Sequence, residues 1–182
     1  MEDLSLHILD IAENSINAGA TSIEILIDED IKQDVLKLEI ADNGSGMDAK
    51  SVEKALDPFY TTRTTRRVGL GLPFLDEAAR AANGRLEIDS QLGVGTNVIA
   101  TFQLSHIDRK PIGNMADTIT TLIAGRPEVD ITYRHGRDGH TVSLSTREIR
   151  RKVDGVCLNA AGTLNFIRQY LEQEENSLEQ HG

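Results

Sequence analysis

Tryptophan is absent from this chain, cysteine occurs once, and aromatic residues make up only 4% of it. A core must therefore be built from leucine, isoleucine, valine and alanine. The single thiol, Cys157, excludes an internal disulfide and suits a reducing compartment. Its expected place is a buried structural position. No apolar run approaches the ~20 residues that cross a bilayer. The opening MEDLSLHILD is acidic and lacks the basic start of a secretory signal. These absences argue against a membrane span and for a soluble protein of the cytoplasm. Positive charge is also short: 19 Lys and Arg against 29 Asp and Glu leave a formal net charge of −10. A surface of that sign repels a phosphodiester backbone, so general nucleic-acid binding is not expected.

What is present is a globular composition, with 39% hydrophobic residues in 182, enough for one domain or one domain with an appendage. Residues 4–18 have helical periodicity. Leu6, Leu9, Ala12 and Ile16 fall near one stripe, with Ile8, Ile11 and Ser15 beside it, and Gly19 is the stop. Residues 21–28 alternate, with Ile23, Ile25 and Ile27 inward, and residues 35–40 do the same through Leu36, Leu38 and Ile40. The two strands read as a hairpin pair. Asp48 caps a short helix that Pro58 ends. A helix follows over residues 72–83, then strands over 85–90 and 97–104.

Three places on this frame carry chemistry. Asp10 and Asn14 are four apart and project from one side of the first helix. An amide oxygen at Asn14 can ligate a hard cation such as Mg²⁺, and a carboxylate one turn earlier can orient or deprotonate a water. The same spacing also fits two polar groups on a solvated face. The second strand runs into Asp42-Asn43-Gly44-Ser45-Gly46-Met47. A carboxylate at a strand end can accept from an exocyclic amine, and the glycines offer a flat wall for a planar ring. A plain Asp-Asn-Gly turn has the same pattern. Residues 57–73, DPFYTTRTTRRVGLGLP, pass through Thr61, Thr62 and Arg63 and close on Gly69-Leu70-Gly71-Leu72 just before a helix. Glycines at a helix start let backbone N–H groups approach an anion, and the arginines and threonines add donors. The stretch reads as a polyphosphate-gripping lid, with an ordinary polar loop as the bland alternative.

Taken in order, ENSINAGAT (residues 13–21), DNGSGM, DPFYTTR with VGLGL, and GVGTNV resemble the N, G1, F, G2 and G3 boxes of the ATPase superfamily of DNA gyrase B, Hsp90, histidine kinases and MutL. The resemblance spans residues 4–104. It implies an α/β fold: a two-layer α/β sandwich with a mixed sheet, of the Bergerat type, with ATP held between helices and lid. Asn14 resembles the ligand that carries Mg²⁺ to the phosphates. Asp42 resembles the reader of the adenine amino group, and Thr96 the residue behind it. Gly44, Gly46 and Met47 resemble the pocket lining. Gly69, Leu70, Gly71 and Leu72 resemble the phosphate-binding turn, and Thr61, Thr62 and Arg63 fall in the lid. Asp10 stands where gyrase and MutL relatives carry a glutamate general base; it is one methylene shorter. PFYTTR followed by GLGLP is similar to histidine kinases, whereas ENSINAGATSIEI is more similar to MutL.

No dimerising hairpin with a phosphoacceptor histidine is expected ahead of Leu4, and His7 reads as a partly exposed helix histidine. Residues 1–105 are thus read as the ATP-binding domain, and 106–182 as a small C-terminal α+β appendage without a family. Within it, a helix is expected over 114–124, strands over 128–134 and 140–145, a basic helix over 146–153 and an amphipathic helix over 159–175. His135, Asp138 and His140 read as a solvated hairpin loop in preference to a metal site. The tail from Gln173 reads as frayed. The expected activity is that of a Mg²⁺-ATP-binding, stand-alone kinase acting on a separate protein phosphoacceptor. The alternative is an ATP-gated interaction module with slow hydrolysis; a homodimer is compatible with both.

Overall fold

The computed structural model describes residues 3–56 and 71–180. Asp3 caps the first helix, α1 (Leu4–Asn17), by accepting from the Leu6 N–H at 3.2 Å. Gly19, at φ +81°, turns the chain out of it. Strands β1 (Ser22–Asp30) and β2 (Val35–Asp42) pair antiparallel across a turn in which Asp34 takes φ +57°. Asp48 caps the short helix α2 (Ala49–Ala55) through the Ser51 N–H at 2.8 Å. Helix α3 (Gly71–Ala81) leads into β3 (Arg85–Gln91) and β4 (Gly95–Gln103). Then come α4 (Met115–Gly125), β5 (Asp130–Arg137), β6 (His140–Ser145), α5 (Thr146–Lys152) and α6 (Ala161–Gln180).

The strands form one mixed sheet in the order β3-β4-β2-β1-β5-β6, in which β1 and β5 run parallel and every other neighbour antiparallel. The second half of the chain therefore continues the sheet of the first half. Directly paired residues share a face, so register writes the core in rows. One row reads Ile88, Val98, Ile40, Ile25, Tyr133, Leu144, and the next reads Leu86, Ala100, Leu38, Ile27, His135, Val142. Helices α3, α1, α4 and α6 pack on one another and supply the second layer. Each Ile or Leu buried between these layers contributes about 1.5–3 kcal/mol.

The stripe expected on α1 is rotated. Leu4, Ile8, Ile11, Ala12 and Ser15 are buried, while Leu6 is 43% exposed. This helix is apolar over most of its circumference, because α3, α4 and the sheet all touch it, so periodicity could not select one face. The hairpin between β5 and β6 is also tighter than expected. His135, Gly136 and Arg137 belong to β5, and only Asp138 and Gly139, at φ +47° and +84°, make the turn. The tail is not frayed where expected: α6 runs to Gln180, with Leu178 buried. Cys157 is exposed rather than buried, its thiol turned to Asn159. The basic run of α5 is largely spent internally, since Arg147 and Arg150 both hold Asp130.

Candidate functional site

The row at one end of the inner face is polar. Thr96 of β4 lies opposite Asp42 of β2, and Ser90 of β3 lies opposite Thr96. The Asp42 carboxylate accepts from Ser15 Oγ at 2.6 Å and from the Gly44 N–H at 2.8 Å. Ser15 belongs to α1, so this one residue ties the helix to the strand end. Asp42 remains half-buried, which leaves it accessible from outside. Ser90 Oγ lies 2.9 Å from Thr96 Oγ1, within 3.0 Å of the Gly95 carbonyl, and accepts from the Met47 N–H at 2.8 Å.

The DNGSGM segment folds over this row. Asn43 Oδ1 accepts from the N–H groups of Thr21 and Ser22, each at 2.9 Å. Ser45 donates to the Ala18 carbonyl at 2.9 Å, and Gly93 donates to the Ser45 carbonyl at 2.8 Å. Two glycines are demanded by this crossing. A Cβ on Gly95, at φ +142°, would sit 1.9 Å from the Asp42 carbonyl oxygen, and one on Gly46, at φ +65°, would sit 2.0 Å from that of Gln91. Only a chain without side chains there can lay one turn against the other.

Asp10 lies on α1 against α3, and Asn14 follows one turn later on the same helix. A Cβ on Gly71 would fall 2.0 Å from Asp10 Oδ2, so the carboxylate lies directly on the first residue of α3. Asp10 and Asn14 are both half-buried, and Leu72 packs against the core. Thus Asp42, Thr96, Gly44, Gly46 and Met47 come together at one strand end, Asp10 meets Gly71, and α1 joins the two through Asp10 and Ser15. Thr61, Thr62, Arg63, Gly69 and Leu70 lie outside the described residues.

Sequence reasoning missed the supporting hydroxyls. Ser15 looked like core because it lies beside the apolar stripe. Ser90 carried one available signal: hairpin pairing places it opposite Thr96. His7 corrects another expectation. It is fully buried, and among the described residues neither ring nitrogen has a partner in good hydrogen-bond geometry. Burial, helped by the Lys110 charge, lowers its pKa to about 4, so the ring is neutral.

The opposite end of the inner face is ionic. His135 is buried, its Nε2 2.9 Å from Glu29 Oε1 and its Nδ1 2.7 Å from Glu175 Oε2. Tyr133 donates to Glu175 at 2.6 Å. Burial pulls His135 down, but hydrogen bonds and charges from the two carboxylates outweigh it and raise its pKa to about 9. This replaces the solvated loop expected for His135. Strand β5 carries it inward two residues after Tyr133, a period-two signal present in the sequence. Among the described residues no group of His, Cys, Asp and Glu is suited to a metal ion.

A mixed sheet covered by helices on one face, with a glycine-shaped cleft at its end against α1 and α3, defines a two-layer nucleotide-binding class of fold. The chain belongs to the family of histidine kinase-, DNA gyrase B- and HSP90-like ATPases, whose model matches residues 2–106. Sensor protein kinase FleS of Pseudomonas aeruginosa is 36% identical over 105 residues, 58% of this chain and 25% of that protein. Sensor protein kinase WalK of Staphylococcus haemolyticus is 32% identical over 95 residues, 50% of this chain and 16% of that protein. The chain thus spans a quarter or less of the length of these curated relatives. Among solved structures, the MutL ATPase domain of Aquifex aeolicus, complexed with ADP, aligns with TM-score 0.50 at 18% identity, over 80% of this chain and 63% of that one. That likeness of fold is wider than the family match, so it extends into the residues after 106.

Proposed function

We propose that this chain binds Mg²⁺-ATP in the cleft between α1, α3 and the β2–β4 strand ends, and transfers the γ-phosphoryl group to a separate protein. One observation supports it most: Asp42, backed by Ser15 and the Gly44 N–H, presents a half-buried carboxylate beside Thr96. That is an acceptor built in place, suited to an exocyclic amine such as that of adenine. Membership in the ATPase family gives the same reading. Asn14 would hold Mg²⁺ by its amide oxygen, and the metal would supply charge neutralisation between phosphate groups. Gly44, Gly46 and Met47 would wall the base. Gly69, Leu70, Gly71 and Leu72 would take the phosphates at the start of α3, with Thr61, Thr62 and Arg63 as lid donors. Asp10 would orient the attacking group. Residues 1–105 would form the catalytic unit and 106–182 the part that meets the partner, in a cytoplasmic protein that pairs as a homodimer.

A second reading, an ATP-gated interaction module with slow hydrolysis, is favoured by the same Asp10. Its carboxylate lies on Gly71, where it would repel an arriving phosphate as well as position water. Calorimetry with ATP, with and without Mg²⁺, tests the binding step; absence of heat in both sinks both readings. Incubation of γ-labelled ATP with the chain and candidate acceptors separates them. Label on a second protein supports transfer, whereas release of inorganic phosphate alone supports the module.

A further inference from the structure

A cavity of about 380 Å³ lies at the ionic end of the sheet, away from Asp42. Along β1, Glu29 is six residues from Ile23, the partner of Asp42, a separation of about 20 Å. The floor is the Glu29–His135–Glu175 network. One wall is Arg137 with the segment that enters α4, and the other is the C-terminal half of α6. The volume suits a small metabolite rather than a single water.

The two walls differ in chemistry. Arg137 lines this wall with its side chain 27% exposed, and its contact with Glu29 is long, 3.4 Å through Nη1. A guanidinium carries five N–H donors in a fork that matches a carboxylate, so its exposed edge suits a ligand's carboxylate. The start of α4 lines the same side: Asn114 Oδ1 caps the Asp117 N–H at 2.9 Å, and the Met115 and Ala116 N–H groups have no carbonyl one turn back to bond. Opposite, Glu172 and Glu179 are two turns apart on α6 and both line the cavity. Glu175, between them, is consumed by Tyr133 and His135. Arg109 also lines the cavity but is committed to the Leu104 and Lys110 carbonyls at 2.6 and 3.0 Å, so a simple anion would still face these carboxylates on a chain of net charge −10. A simple cation would meet the like charge of the Arg137 guanidinium.

We propose that this cavity binds a small zwitterion of the α-amino acid class, its carboxylate on Arg137 and the start of α4, its ammonium between Glu172 and Glu179. The wall it touches is joined to α1: the Pro111 and Ile112 carbonyls accept from the Leu4 and Ser5 N–H groups at 2.9 and 2.7 Å. The test is an NMR amide titration of the full chain with individual L-amino acids, and with acetate and methylammonium as half-probes. At least one amino acid is expected to give saturable shifts confined to residues 109–116, 135–137 and 172–179. Arg137→Gln should weaken it about tenfold or more. The paired Glu172→Gln, Glu179→Gln variant, at exposed positions, should do the same with an unchanged spectrum when unliganded. No saturable shift up to about 10 mM overturns the proposal, that being too weak to count as a site. Unaltered affinity in the paired variant overturns it as well, as does methylammonium binding as tightly as the best amino acid. None of these readouts depends on nucleotide.

Discussion

The inner face of the sheet has two polar ends, the Asp42 row and the Glu29–His135 cluster, with the row from Ile88 to Leu144 between them, and they are built on opposite plans. At the Asp42 end, hydroxyls, amides and glycines satisfy one another around a carboxylate that stays half-buried. At the His135 end, Glu29, His135 and Glu175 satisfy one another beneath the surface, and their main effect is to hold α6 onto β5 and β1. The first plan makes a cleft whose chemistry depends on what enters it. The second makes a clamp whose strength depends on pH. The difference teaches that polar residues on one face can serve recognition or closure, and that solvent access and pairing decide which.

The comparison breaks first at Asp42. Asp42→Asn should weaken adenine nucleotide binding by about 100-fold, near 3 kcal/mol, with the circular dichroism spectrum unchanged. Undiminished binding by calorimetry would remove the recognition role from that end. Next, Gly95→Ala forces a Cβ to 1.9 Å from a carbonyl oxygen at positive φ, and should destabilise the fold by about 3 kcal/mol in urea unfolding. Gly93→Ala, at φ +76° with no atom within 4 Å of the added carbon, should cost only about 1 kcal/mol. Equal costs for the two would show that contact between the turns is not what demands glycine.

At the other end, Glu175→Gln removes a partner of both His135 and Tyr133 and should cost about 2 kcal/mol, with the NMR-measured pKa of His135 falling. The two buried histidines then set opposite slopes. His135 is raised to about 9 from 6.5, so its contribution is full below about pH 6.5 and is lost as pH rises through 9. His7 is lowered to about 4, so it stabilises less as pH falls from about 6.5 toward 4, where the unfolded chain takes the proton. Stability should peak near pH 6.5, and His7→Leu should flatten the acid slope alone. A flat acid slope in the parent chain would count against the buried neutral ring. The smallest effect is expected at exposed Cys157: Cys157→Ser should change stability by less than about 0.5 kcal/mol.

Much of this was legible in one dimension. Period-two alternation identified β1, β2 and β4 and their inward residues, because each strand buries one face against helices. Asp48 caps α2 by short-range geometry, and the glycine-rich boxes stood in order along the chain. The α1 face was not legible, since that helix is apolar nearly all round. His135 carried a readable alternation, but its glycine-rich neighbours suggested a loop. Glu175 looked like part of a polar tail, because its partners are 40 and 42 residues away in sequence.

Left to itself, the sequence determined the local matters: which segments are strands or helices, where glycine is needed, and which family the first half joins. These depend on interactions within a few residues, where period and turn chemistry are written directly. Tertiary structure alone decided that Ser15 braces Asp42, that Asp10 meets Gly71, that the second half continues the first half's sheet, and that a histidine lies between two buried glutamates. Those pairings join residues far apart along the chain, and their energies depend on burial and register that only the packed layers create.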